Sequence, residues 1–234
     1  MPKIIAFKPT FSPEEYISYV TDRFTAVADP LRAEKQMAYM RHQFEYCGLG
    51  ATVWYPMIQQ IFREHGMYCG KDLKQYIALA YDQPYREVLY TAIEMMQRML
   101  PEQPKSFIRT LESCITTHSW WDSVDWLAKL VGIYFRLYPE QQIPYCEKWI
   151  ASDNMWLQRA AIIHQLHYKK DTDHQLLFDL IKKQSHNQEF FIRKACGWAL
   201  RQYSRVNPKA VKAFVRSNKL STLTQKEALR LMKS

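Results

Sequence analysis

Between Ser119 and Trp126 the chain reads Ser-Trp-Trp-Asp-Ser-Val-Asp-Trp, three indoles and two carboxylates within about two helical turns. In a helix, Trp121 and Asp125 stand four residues apart and share a face, which sets an indole beside a carboxylate. The indole attracts positive charge through its quadrupole and the carboxylate through its full charge, so a flat cation would be held by both. The same residues admit a plainer reading, with tryptophans in a core and the Asp as a cap or a solvated charge. Two further stretches set an indole three residues before a guanidinium, Trp156 with Arg159 and Trp198 with Arg201. Such a pair can pack an aromatic ring while sending a bidentate donor toward phosphate; the alternative is a core Trp beside a surface Arg.

Other chemistry has less to stand on. His164 and His167 are three residues apart and could share a metal, yet no carboxylate or thiol joins them at matching spacing, so no metal site is expected. The chain shows no Gly-rich phosphate loop, no Ser nucleophile elbow, no paired-cysteine motif and no zinc deaminase signature. Catalysis here would rest on a lone carboxylate, without a cofactor.

The 234 residues are 47% hydrophobic and 14% aromatic, the composition of a folded chain rather than a disordered one. An excess of 32 Lys and Arg over 23 Asp and Glu gives a net charge of +9, which favours a polyanionic partner. No apolar run reaches the roughly 20 residues of a membrane span, and Met1 to Phe7 is too short and interrupted for a secretory signal. A cytoplasmic protein with no membrane role is expected. The five cysteines are scattered, and reduced, mostly buried thiols are expected of them.

Positioning these residues falls to helices. Ser12-Pro13-Glu14-Glu15 is a capping box that opens a helix to about Val27. Asp29-Pro30 opens another, predicted to run to Tyr46 with Leu31, Met37, Met40 and Phe44 along its apolar side and to stop before Gly48. Further helices are predicted from Thr52 to His65, Lys71 to Tyr81, Pro84 to Met99, Pro104 to Thr117 and Trp121 to Tyr138. Beyond them come Tyr145 to Ala151, Met155 to Tyr168, His174 to Lys183, Gln188 to Val206, Pro208 to Ser217 and Thr222 to Lys233. No period-two strand stands out, so the class is all-α. The helices fall into antiparallel pairs roughly every 35 to 45 residues, the spacing of a HEAT-like α-solenoid with a concave basic face. One domain is expected over residues 1–234, with 1–10 a short N-terminal extension. Arg159, Arg193, Lys194, Arg201 and Arg205, with Lys212 and Lys226 behind them, are candidates for that basic face.

Three stretches, Ser119 to Asp125, Trp149 to Ala161 and Glu189 to Arg201, resemble in order the motifs of one family, the bacterial DNA alkylation repair enzymes of the AlkD type. These are HEAT-like-repeat glycosylases that remove N-alkylated purines, and the similarity runs from about Phe11 to the C-terminus. The resemblance implies that Asp125 is the catalytic carboxylate, that Trp121 and Trp198 pack against the lesion nucleotide, and that Arg159 contacts the DNA backbone. It also matches Tyr39, in Met-Ala-Tyr-Met, to a tyrosine facing the lesioned pair. Arg193, Lys194 and Arg201 join the expected DNA contacts. The implied partner is double-stranded DNA carrying 3-methyladenine or 7-methylguanine, acted on by a monomer without a metal and without extruding the base. One stretch departs from the family: beyond Gly48, Thr52 stands where a Pro is usual, and Trp54 and Tyr55 stand where an Arg pair is usual. A second reading remains beside the enzyme, a non-catalytic HEAT-repeat scaffold that binds DNA or protein on the same face.

Overall fold

Described from residue 9 to residue 232, the computed structural model divides into two units, one ending at Pro104 and the other beginning at Lys105. The first holds α1 (Pro13–Thr25), α2 (Pro30–Tyr39), α3 (Ala51–His65), α4 (Gly70–Tyr81) and α5 (Arg86–Met99). The second holds α6 (Ile108–Thr116), α7 (Trp121–Leu137), α8 (Gln142–Ile150), α9 (Met155–Ile163), α10 (His174–Lys183), α11 (Phe190–Ser204), α12 (Pro208–Ser217) and α13 (Thr222–Ala228). Among the described residues there is no strand, only one isolated bridge between Glu45 and Tyr85, and the all-α reading stands. No helix among them is long and apolar enough to cross a membrane. Most of the expected N-terminal extension, and the predicted end of the last helix at Lys233, lie outside the described residues.

The helix starts follow the caps. Ser12 accepts from the Glu15 amide and Glu15 accepts from the Ser12 amide, closing the capping box of α1. Asp29, Asn154 and Asp173 likewise accept from first-turn amides of α2, α9 and α10. Each such bond satisfies a donor that the helix itself leaves open.

Where helices end is less faithful to periodicity. The predicted helix to Tyr46 stops at Tyr39, because Arg41 and His42 adopt left-handed backbone angles, φ 56° and 54°. Its apolar side packs in part: Met40 is buried and Met37 and Phe44 are half-buried, while Leu31 is 79% exposed. The chain turns there to deliver the Cys47, Gly48 and Leu49 amides to the Glu87 carboxylate, each at 3.0 Å. Gly48 makes this close approach, since its φ is +87° and a Cβ would run into the Asp29 carbonyl oxygen. Burial raises the pKa of Glu87 and the backbone amides oppose the rise. The Glu87 carbonyl in turn accepts from the Trp54 indole at 3.0 Å, so Trp54 is buried while its neighbours Val53 and Tyr55 stay exposed.

In the second unit, α7, α9, α11 and α13 pack in succession as one layer. The helices that precede them, α6, α8, α10 and α12, form the partner layer; α8 meets α10, and Phe178 of α10 stacks on Phe214 of α12 with ring centroids 4.2 Å apart. These are the helix pairs of a HEAT-like repeat. Its α9 ends at Ile163, short of the predicted Tyr168, because the Gln165 amide bonds both the N–H and the carbonyl of Asp173 and closes the loop to α10. At the other end of the layer Gly197 lets α13 approach α11, for a Cβ there would press on Glu227 and Thr224. Glu227 then accepts from Lys194 at 2.9 Å and from Arg201 at 2.6 Å.

Two stability outcomes follow from these carboxylates. Glu87→Ala orphans three buried amides and costs about 3 kcal/mol, read as a lower urea midpoint at unchanged slope. Hydrogen bonding and charge from Lys194, with Arg201, hold the Glu227 carboxyl below its ordinary range. Its contribution is therefore present above the unfolded-state pKa and lost as pH falls through the lowered folded-state value. Glu227→Gln is expected to cost about 1 kcal/mol, or about 2–4 °C in Tm at neutral pH, and the gap to wild type closes in acid.

Candidate catalytic site

Asp125 lies one turn inside α7, whose start is marked by Trp120 in extended conformation with its carbonyl accepting from Val124 N–H at 3.0 Å. Because 121–125 is helical, Trp121 stands one turn before Asp125 on the same face, as the spacing predicts. Opposite, on α9, Arg159 meets Asp125 edge to edge. Its Nε donates to Oδ1 at 2.7 Å and its Nη2 to Oδ2 at 2.8 Å, while Nη1 donates to the Phe191 carbonyl at the start of α11 at 2.7 Å. One guanidinium thus joins three consecutive helices of the layer.

Burial sets the electrostatics. The Arg159 side chain is 6% exposed and that of Asp125 20%, so the acid stays partly exposed to solvent while its cation is buried. Desolvation pushes the Asp125 carboxyl above its ordinary range; the hydrogen bonds and charge of Arg159 pull against that rise, and Asp122 adds to it. Around the pair lies an aromatic wall. Trp120 is 5.8 Å from Trp156 and 5.4 Å from Phe191, Trp156 is 5.0 Å from Phe191, all between ring centroids, and the Arg159 guanidinium lies 5.9 Å from the Phe191 ring. The Trp120 indole nitrogen is buried there without a hydrogen-bond partner.

Trp198 is half-buried on α11, seven residues and about two turns beyond Phe191 on the same side of the helix. Both predicted Trp and Arg pairs turn their guanidiniums to carboxylates, Arg159 to Asp125 and Arg201 to Glu227. Lys194 shares Glu227 with Arg201. Arg193, half-buried, has an Nε with no hydrogen-bond partner, and its carbonyl accepts from the Thr224 hydroxyl. Tyr39 belongs to the first unit, where it ends α2 and is 71% exposed.

His164 and His167 are not brought together: His164 is buried, hydrogen-bonded to the Ala161 carbonyl and Gln142, with its pKa pushed down to about 4, whereas His167 is exposed. Among the described residues no group of three or more His, Cys, Asp or Glu is placed to hold a metal ion. Sequence reasoning missed Trp120 and Phe191. Trp120 lies inside the indole-rich stretch and could have been found there, but Phe191 acts partly through its carbonyl, which no residue type announces. Chemically, the site offers a partly exposed carboxylate oriented by a buried guanidinium, able to stabilise a cation or to accept a proton from water.

The family model for the DNA alkylation repair enzymes matches residues 20–232. Among solved structures, the predicted DNA alkylation repair enzyme from Enterococcus faecalis is similar at 30% identity and a TM-score of 0.83, over 88% of this chain and 97% of that one. AlkD2 from Streptococcus mutans shares the fold at 17% identity and a TM-score of 0.67, over 95% of this chain and all of its own. So does smu.31 from Streptococcus mutans UA159, at 17% identity and a TM-score of 0.61, over 91% and 97% of the two chains. No curated protein matches. With nearly its whole length matched, and with the indole- and carboxylate-bearing helices in place, the chain belongs to the DNA alkylation repair enzyme family.

Proposed function

We propose that this chain is a DNA glycosylase that hydrolyses the N-glycosidic bond of cationic alkylpurines, 3-methyladenine and 7-methylguanine, in duplex DNA. The observation that carries the reading is the partly exposed Asp125 carboxylate, held by the Arg159 fork, in a chain of a DNA alkylation repair family. An alkylated purine already carries positive charge, so it leaves without general-acid help. The sugar it leaves becomes oxocarbenium-like, and Asp125 stabilises that charge and orients or deprotonates the attacking water, as one carboxylate does in glycoside hydrolysis. No metal enters the step. Trp121 and Trp198 pack against the lesion nucleotide, and the base stays in the duplex rather than being extruded. Arg159 fixes the carboxylate from its buried position. Arg193, Lys194, Arg201 and Tyr39 complete the DNA contacts of a monomer acting in the cytoplasm.

The second reading, a scaffold without turnover, draws on the same geometry, because both Asp125 oxygens are engaged by Arg159 as they would be in a purely structural ion pair. Turnover separates the two. Duplex DNA carrying 7-methylguanine or 3-methyladenine is incubated with wild type, with Asp125→Asn and without protein, and free base is measured. The glycosylase reading expects release well above spontaneous depurination, falling by about 100-fold or more in Asp125→Asn while duplex binding persists. Release at the background rate by folded wild type would leave the scaffold.

The pH profile offers a second check. Since the ionised carboxylate is the working form and burial raises its pKa, single-turnover release declines on acidification at a higher pH than an ordinary Asp would give. Arg159→Met removes the charge opposing that rise, so the acid limb moves to still higher pH in whatever fraction remains folded.

A further inference from the structure

Nine cations and no acid occupy the segment from Phe190 to Lys226. They account for the net charge of +9, because the 23 Lys and Arg elsewhere balance the 23 Asp and Glu. Lys194 and Arg201 on α11 share the single carboxylate of Glu227. Lys209, Lys212 and Arg216 on α12 are exposed, as are Arg205 before it and Lys219 after it, and among the described residues none of the five has a carboxylate partner. The one side-chain bond made by Arg205 goes to neutral Gln202.

Spacing puts the three α12 cations in a row. Steps of three and four residues keep Lys209, Lys212 and Arg216 on one helix face, and Arg205 and Lys219 flank the helix in sequence. Packing decides which way that face looks: Val211, Phe214 and Val215 are buried, with Phe214 stacked on Phe178, so the cations point to solvent. Ordinary solvated faces intersperse both signs, as Asp179 and Lys182 do on α10. A ten-residue helix spans about 15 Å, over which one DNA strand presents about four phosphates. This row sits on the partner layer, away from the α7 and α9 positions of Asp125 and Arg159.

We propose that the exposed face of α12 is a second nucleic-acid contact surface, which takes the phosphates of duplex DNA without reading bases. It rests on DNA being the partner of the Asp125 site but not on glycosidic hydrolysis there. A sequence-independent grip of this kind keeps the protein on undamaged DNA between lesions.

Binding of undamaged, fluorescein-labelled duplex is followed by anisotropy over a range of NaCl concentrations, for wild type, for the single Lys212→Ala variant and for Lys209→Ala combined with Lys212→Ala and Arg216→Ala. The slope of log K against log salt should shrink by about 0.9 in the single variant and about 2.7 in the triple variant. Exchanging each Lys for Arg and the Arg for Lys should restore it. Base release from alkylated duplex at saturating protein should not change, and Asp125→Asn should give the reverse pattern, an unchanged slope with release lost. A smaller slope in a protein that releases no base keeps the surface and removes the glycosylase. An unchanged slope in the folded triple variant overturns the proposal. So does a wild type that ignores duplex but binds anionic phospholipid vesicles through the same three residues.

Discussion

A guanidinium that is 6% exposed must have its charge and its N–H groups answered by protein, and Arg159 finds both answers on neighbouring helices. The Asp125 carboxylate on α7 takes two donors and the Phe191 carbonyl on α11 takes a third. Neither flanking helix can slide along α9 without breaking one of these bonds, so a single side chain sets the register of the layer that carries the candidate site. Specific geometry and stability are coupled here. The group that aims the acid is also the group whose own burial demands it.

Three of the carboxylates withdrawn from water are compensated in different ways. Glu87 meets three backbone amides, Glu227 meets a Lys and an Arg, and Asp125 meets one guanidinium. The first two are enclosed by groups that leave little for a ligand to do. Of the three, Asp125 alone combines a burial-raised pKa with partial exposure beside aromatic rings, and the proposed chemistry rests on that combination.

Much of this was legible in the residues. The capping box at Ser12, the caps at Asp29, Asn154 and Asp173, and the shared face of Trp121 and Asp125 are local patterns that need no tertiary knowledge. The end of α2 was not legible, since periodicity continues through Met40 and Phe44 while a distant carboxylate, Glu87, draws the backbone out of the helix. Charge was legible as type but not as role. Lys194 and Arg201 read as cations from their types alone, but their shared partner Glu227, 26 or more residues away, does not.

Trp54 and Tyr55 differ in how freely they could be exchanged. The resemblance sets an Arg pair at 54 and 55, but here the indole is 7% exposed and donates to the carbonyl of Glu87, whereas Tyr55 is 48% exposed. Placing Arg at 55 would cost the fold little. Placing Arg at 54 would drive a charge into a closed core and remove a bond from the residue that organises the preceding turn. One position of the pair accepts the usual cation by a single substitution; the other would require its surroundings to change first.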